Sequence, residues 1–239
     1  MKRLMVLTVA VTAILSATTL LAAPATKRGK AVKAAEDDAD APAVTGRDVS
    51  IKQFPNLGKQ SLRNAPFLGS MNQYFTKPRQ WIVLELAYDT LPRNLDMLTF
   101  TWHVVLDTKT ATNKDREGQK KLSPYSYFTT TTTYNNIPRG THAASVCLHP
   151  SYLECYGEPV AVSVVISDST GQEIGGRTEG VAPFKKKTDA GYKFWEDENI
   201  MGKQFNADLP WVTRRQGLLD RAKTIWALVS PNDYELTIQ

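Results

Sequence analysis

The feature that most constrains this chain is a regular alternation of apolar and polar side chains between Met97 and Leu106. Successive side chains of a β-strand point to opposite faces, so a period of two is typical of a strand with one buried face. The alternation predicts a half-exposed antiparallel strand. Its predicted core residues are Leu98, Phe100, Trp102, Val104 and Leu106.

Six other segments show a similar rhythm in residues of high β-propensity: 49–54, 81–89, 125–134, 141–148, 160–167 and 173–181. Turn residues separate them, and Asp168-Ser169-Thr170-Gly171 is predicted as a hairpin loop. Seven short strands separated by turns favour a mainly β fold, an immunoglobulin-like antiparallel β-sandwich over residues 48–184. The long, polar loop 108–121 is a candidate contact surface.

The N-terminus has the pattern of a secretory signal peptide over residues 1–25. Lys2 and Arg3 precede an apolar run over residues 4–21, and Ala23-Pro24-Ala25 matches a small-residue cleavage pattern, with a second candidate site at Ala22-Ala23. A transmembrane helix is the alternative, but threonine and serine interrupt the run. No later apolar stretch approaches spanning length, so we expect export without stable membrane insertion, to the periplasm, the outer-membrane surface or the extracellular space.

Residues 26–47 are rich in alanine and charged side chains and contain no aromatic residue. Such a segment cannot offset its chain entropy by burial, so it is predicted to be a disordered charged linker. The signal carries +2 and the linker +1 of the formal net charge of +5, which leaves +2 for residues 48–239. A nearly neutral folded part without a basic helix gives no support for nucleic-acid binding.

The last part of the chain, residues 185–239, is dense in aromatic side chains and is predicted to pack on the sandwich as a C-terminal extension. Its end contains an apolar stripe with helical spacing that stops at Pro231. The stripe consists of Leu218, Leu219, Ala222, Ile225, Trp226 and Val229. It predicts an amphipathic helix, and the alternative is an extended arm laid along the sandwich.

The two cysteines, Cys147 and Cys155, lie close together in a chain that is expected to leave the reducing cytoplasm. A disulfide between them is therefore predicted, and closing so small a loop is worth about 2.5 kcal/mol. The alternatives are two free buried thiols, or a reactive cysteine served by His142 or His149. Two cysteines are too few for a four-cysteine zinc site.

The remaining polar residues predict no catalytic, cofactor-binding or metal-binding site. The histidines lack metal-ligand spacing, and His103 is predicted on the wetter face of its strand. The cluster Glu196-Asp197-Glu198 beside Trp195 is interpreted as a solvated acidic loop, with glycosidase carboxylates as the alternative. The threonine run 129–133 is explained by β-propensity, with a binding face or glycan attachment as alternatives.

Three stretches carry a resemblance to a known group of proteins. The first reads IPRGTHAASV (137–146), the second YGEPVAV (156–162), and the third is the ending 218–235. They resemble secreted bacterial immunoglobulin-like proteins of the Planctomycetes and Verrucomicrobia lineage, some of which are similar to products of type IV pilus loci. The resemblance implies an immunoglobulin-like sandwich with an envelope or pilus-associated role and no catalytic residues.

Together these patterns favour a non-catalytic secreted or periplasmic interaction or structural protein of the cell envelope. Exposed strand edges, the loop 108–121 and the aromatic C-terminal region are expected to contact other envelope or pilus-associated proteins. A carbohydrate-binding module is the first alternative, and it requires solvent-facing tryptophans. A glycan-directed hydrolase built on the sandwich is the second alternative, since a fold of this kind serves many tasks.

Overall fold

Two β-sheets packed face to face form the body of the protein. The computed structural model describes residues 44–65, 79–91, 93–111, 122–186, 189, 191–228 and 235–236. The predicted signal peptide, residues 26–43 of the predicted linker and residues 112–121 of the predicted contact loop lie outside these ranges. Linker residues 44–47 differ from the prediction, because Val44 packs on the core and Thr45 closes a turn with Asp48.

A strand is present in each of the seven predicted segments, which confirms the mainly β fold. These strands are β1 (Val49–Gln53), β3 (Gln80–Thr90), β4 (Leu95–Asp107), β5 (Tyr125–Ile137), β6 (Gly140–Leu148), β7 (Glu158–Ser167) and β8 (Glu173–Gly180). Shorter strands are β2 (Leu62–Asn64), β9 (Gln204–Asn206), β10 (Leu209–Pro210), β11 (Val212–Arg215), β12 (Leu219–Asp220) and β13 (Glu235–Leu236). The helices are α1 (Pro150–Tyr156) and α2 (Glu198–Met201).

The strands form two main sheets. The first has the order β1-β3-β6-β12, with β2 also paired to β3, and the second has the order β11-β5-β4-β7-β8, with β13 also paired to β5. Neighbouring strands are antiparallel except for β11 and β5, which are parallel. The long β4 occupies the centre of the second sheet, which explains why its sequence carries the clearest alternation.

The space between the sheets holds the main core. The five core residues predicted on β4 are each 0% exposed. From the facing sheet, Leu84, Leu86 and Tyr88 of β3 are also fully buried, and Tyr88 packs on Phe100 with ring centroids 5.0 Å apart. Burying each large side chain contributes about 1.5–3 kcal/mol, so this layer is the main source of stability.

The C-terminal segment builds a second apolar cluster on the outer face of the second sheet. Tyr192, Phe194, Ile200 and Val212 from this segment are buried there, together with Phe184, which directly precedes it. They pack against Val105, Tyr127 and Ala161, which stand on the strand faces opposite the main core. Residues that would face water in an isolated sandwich are therefore covered, as expected for an extension that packs on the sheets.

Residues 218–228 do not form the predicted amphipathic helix. They form β12 and two 3-10 turns, Arg221–Lys223 and Ile225–Leu228. Leu219 and Asp220 pair with Cys147 and Val146 along the edge of β6. Their backbone N–H and C=O groups therefore bond to β6 and are not available for hydrogen bonds within a helix. Thr224 is extended, and this breaks the helical path. The extended-arm alternative is closer to the structure.

Candidate binding site at the open edge of the sandwich

The C-terminal segment covers the lateral edges of the sandwich unequally. It supplies β12 to the edge of β6, and it supplies β11 and β13 to the two ends of β5. Within the described ranges, no strand pairs with the outer edge of β1 or of β8. Unpaired edge groups readily accept another strand, and natural proteins usually protect them. These two edges are therefore places where another chain can extend a sheet. At β8, a Cβ added at Gly46 would lie 2.6 Å from the Ile174 carbonyl oxygen, so residue 46 lies against one end of that strand.

A groove of about 300 Å³ with a mixed polar and apolar lining, here named the edge groove, opens beside β1 and β8. The Arg177 guanidinium lies over the Phe54 ring at 5.2 Å and lies 3.5 Å from a carboxylate oxygen of Glu179. Aliphatic side chains and a paired charge thus share one groove. Its lining consists of Gly46, Val49, Ile51, Ile166, Ile174, Gly175, Gly176 and Arg177.

Two successive glycines mark the middle of β8, and they have different surroundings. A Cβ added at Gly175 would meet no heavy atom within 4 Å. A Cβ added at Gly176 would lie 2.8 Å from the carbonyl oxygen of Val164 on β7. Glycine inside a strand weakens it and often marks close approach by another backbone or ligand. Here Gly176 is required by packing within the sheet, whereas the sheet face at Gly175 borders open space.

A second groove, the Trp195 groove, borders the same part of β8 on the outer face of the sheet. Its volume is about 390 Å³. Ser163 and Val165 of β7 line it, and their neighbours Val162, Val164 and Ile166 belong to the main core. From β8 and the C-terminal segment, the lining adds Glu173, Gly175, Gly176, Arg177, Thr178, Gly191, Lys193 and Trp195.

His103 does not lie on a wet surface, which corrects the sequence prediction. Its side chain is 7% exposed, because Trp195 from the C-terminal segment stacks on it with ring centroids 3.6 Å apart and an interplanar angle of 5°. His103 Nδ1 lies 2.7 Å from the hydroxyl oxygen of Tyr127, a diagonal neighbour on β5 that shares the outer face. Burial, with a smaller effect from the Lys193 ammonium, lowers the pKa of His103 to about 4.

Both cysteines are free thiols, so the predicted disulfide does not form in this structure. Cys147 is buried on the face of β6 opposite its core-facing neighbours, where Thr224 Oγ1 lies 3.9 Å from its sulfur. Cys155 belongs to α1, whose Tyr152 and Tyr156 pack on Phe128 in the main core. The loop predicted between the two cysteines is thus the end of β6 followed by α1. Cys147 is buried on the strand, whereas Cys155 is partly exposed on the helix. Burial raises the pKa of the Cys147 thiol to about 12, which opposes reactivity.

The acidic cluster is a helix start and not a pair of facing carboxylates. Asp197 is the N-cap of α2 and accepts hydrogen bonds from the Asn199 backbone amide, at 2.9 Å, and from the Tyr192 hydroxyl. These donors lower the pKa of the Asp197 carboxyl, with Tyr192 as the largest cause. Glu196 points to solvent, with 64% of its side chain exposed. The geometry of Asp197 therefore fits helix capping.

The threonine run lies in the middle of β5, between the residues that pair with β11 and those that pair with β13. Thr131 and Thr133 face Thr101 and Thr99 across the strands, with hydroxyl oxygens 3.5 and 3.3 Å apart. A small cavity of about 70 Å³ lies beside Thr132 and the buried Asp220, whose pKa is raised by burial. This space suits one or two ordered waters.

These features define a β-sandwich with one covered and one open lateral side. No family model matches the sequence, and no curated protein matches it. A crystal structure of a protein from Akkermansia muciniphila is similar, with a TM-score of 0.54 and 16% identity, over 80% of this chain and 93% of that chain. At this identity the likeness establishes the fold alone. Its source is a member of the Verrucomicrobia, one of the lineages in the sequence resemblance.

In the part of the chain that the structure describes, helices are too short or too polar to cross a membrane. The same part contains no group of three or more His, Cys, Asp or Glu side chains arranged to hold a metal ion.

Proposed function

We propose that this chain is a non-catalytic, exported protein of the cell envelope that binds a partner by accepting an extended segment along the open edge of β8. The observation that carries the proposal is the contrast between the covered edges of β5 and β6 and the open edge of β8 beside a groove lined in part by isoleucine side chains. In strand addition, backbone hydrogen bonds provide affinity, and pockets for alternate side chains provide specificity.

The chemistry of the edge groove supports a segment with apolar side chains at alternate positions. Such side chains would contact Ile51, Ile166 and Ile174, and the sheet face at Gly175 carries no side chain that would obstruct them. The chain's own segment 26–43 is a poor occupant, because its only large aliphatic side chain is Val32. A strand from another envelope protein is therefore the proposed occupant. The sequence resemblance favours a type IV pilus system as its context.

A position-specific crosslink tests this proposal. A small aliphatic residue that carries a diazirine, placed at position 175 of the full-length protein and irradiated in intact cells, is expected to capture one partner through an extended segment with alternating apolar residues. The same residue at position 169, an exposed site in the turn between β7 and β8, serves as the matched control. The bulky substitution Gly175→Trp should prevent partner recovery, whereas Ser169→Trp should not.

Other results overturn the proposal. Equal products from positions 169 and 175, or no product above background, would mean that β8 accepts no strand. Capture of residues 26–43 of a second copy would replace an envelope partner with self-association. Capture of helical or globular surface segments would show a different kind of interface.

A further inference from the structure

Trp195 is held as a rigid platform on the outer face of the second sheet. One face of its indole ring is stacked on the imidazole of His103 at 3.6 Å, and Phe194 meets its ring at 86° with centroids 5.2 Å apart. The imidazole of His103 is held in place by a hydrogen bond between its Nδ1 and the Tyr127 hydroxyl, with the two atoms 2.7 Å apart. Because His103 covers one ring face, the part of Trp195 that lines the Trp195 groove belongs to the remaining surface of its indole ring.

A charged pair stands beside this platform. Lys193 Nζ lies 2.6 Å from a carboxylate oxygen of Glu173, and both side chains keep solvent access, at 36% and 45% exposure. Both residues line the same groove as Trp195. A carboxylate accepts hydrogen bonds and an ammonium donates them, and charge-assisted hydrogen bonds are stronger than neutral ones. The pair can therefore bind two neighbouring hydroxyl groups of a ligand.

The floor of the groove is polar but already satisfied. Ser163 Oγ and Thr178 Oγ1 lie 2.7 Å apart, and the Thr178 hydroxyl donates to the Tyr192 carbonyl at 2.9 Å. Gly176 and Gly191 add no side chains that would fill the space. A volume of about 390 Å³ is in the range of small-ligand sites, which combine an apolar surface with a few placed polar groups.

From these contacts we infer that the Trp195 groove is a carbohydrate site that takes one pyranose unit of an envelope or extracellular polysaccharide. The C–H face of the sugar lies on the indole of Trp195, and its hydroxyls bond to the Glu173 carboxylate and the Lys193 ammonium. The inference does not rest on strand addition at β8, because it uses the outer face of the sheet and other side chains.

The test begins with a glycan array that carries neutral and uronate-containing oligosaccharides, probed with the full-length mature protein. The best-bound oligosaccharide is then titrated by calorimetry against the wild type and the variants Trp195→Ala and Glu173→Gln. Loss of the stacking surface should weaken binding at least about tenfold, and loss of the carboxylate should weaken it several-fold. Phe205→Ala, which removes an exposed aromatic side chain outside the groove, should bind as the wild type does.

Because Trp195 also covers His103, its removal can destabilise the fold, so each variant is checked by its thermal unfolding midpoint. Glu173 is exposed enough that its substitution leaves the fold intact, and that variant decides the question if Trp195→Ala does not fold. No array signal above background would overturn the inference, as would equal affinity of wild type and Glu173→Gln.

Discussion

Acidification provides a direct measure of how well the C-terminal segment seals the outer face over His103. The pKa of this imidazole is about 4 in the folded chain and about 6.5 when exposed. Between these values the unfolded chain binds a proton that the folded chain does not, so the free energy of unfolding decreases as pH falls. That contribution is complete above about pH 6.5 and is lost progressively toward pH 4. Integrated from pH 7.5 to 4.5, it amounts to about 2.5 kcal/mol.

The measurement is urea unfolding followed by circular dichroism at pH 7.5 and 4.5, on the wild type and on His103→Gln. Glutamine keeps a hydrogen-bonding group near Tyr127 but does not titrate. Carboxylates with lowered pKa, such as Asp48 and Asp168, also lose stabilisation in acid, but they do so in both proteins and cancel in the difference. We expect the wild type to lose about 2.5 kcal/mol more than the variant.

Two results would refute this reasoning. The first is an equal loss of stability in the wild type and His103→Gln. The second is an imidazole resonance of His103 that titrates near pH 6.5 in the folded protein, because it would mean that Trp195 does not exclude water from the ring. Either result would also weaken the description of Trp195 as a fixed platform.

Two further predictions concern β8 and the thiols. Gly176→Ala is expected to destabilise the fold by about 1–3 kcal/mol, because the added Cβ would lie 2.8 Å from the Val164 carbonyl oxygen. The Cβ added by Gly175→Ala would meet no heavy atom within 4 Å, so this variant should change the urea midpoint little. Equal midpoints for the two variants would contradict the described packing. Iodoacetamide should alkylate Cys155 in the native protein well before the buried Cys147, with mass spectrometry as the readout. A single disulfide-linked peptide in the exported protein would instead support the sequence prediction.

Several parts of the fold were predictable from local pattern. The alternation on β4 located its buried face correctly, because one face of this strand packs on the facing sheet and the other face is more accessible, which separates its side chains by polarity. The other six segments followed from β-branched composition and turn residues. In the hairpin loop between β7 and β8, the carboxylate of Asp168 accepts from the backbone amides of Thr170 and Gln172, which is the local bonding that such turn residues provide.

Other parts depended on contacts between distant residues. The stripe in 218–229 has helical spacing, but the free edge of β6 offers Leu219 and Asp220 a strand partner that the stripe alone does not reveal. The close spacing of Cys147 and Cys155 favours a disulfide, yet α1 intervenes and separates their surroundings. The Trp195 groove joins β7, β8 and the C-terminal segment, so no local motif marks it. The aromatic density of residues 185–239 was its one sequence signal.

By itself, the sequence determined the strands, the main buried face and the packing of an aromatic extension on the sandwich, because polarity patterns act between residues that are neighbours in the chain. Only the tertiary structure decided which edges stay open, that His103 is buried beneath Trp195, and that Glu173 and Lys193 meet beside it. Those outcomes depend on where the C-terminal segment lies, which is decided by competition among sheet edges and faces that are far apart in sequence.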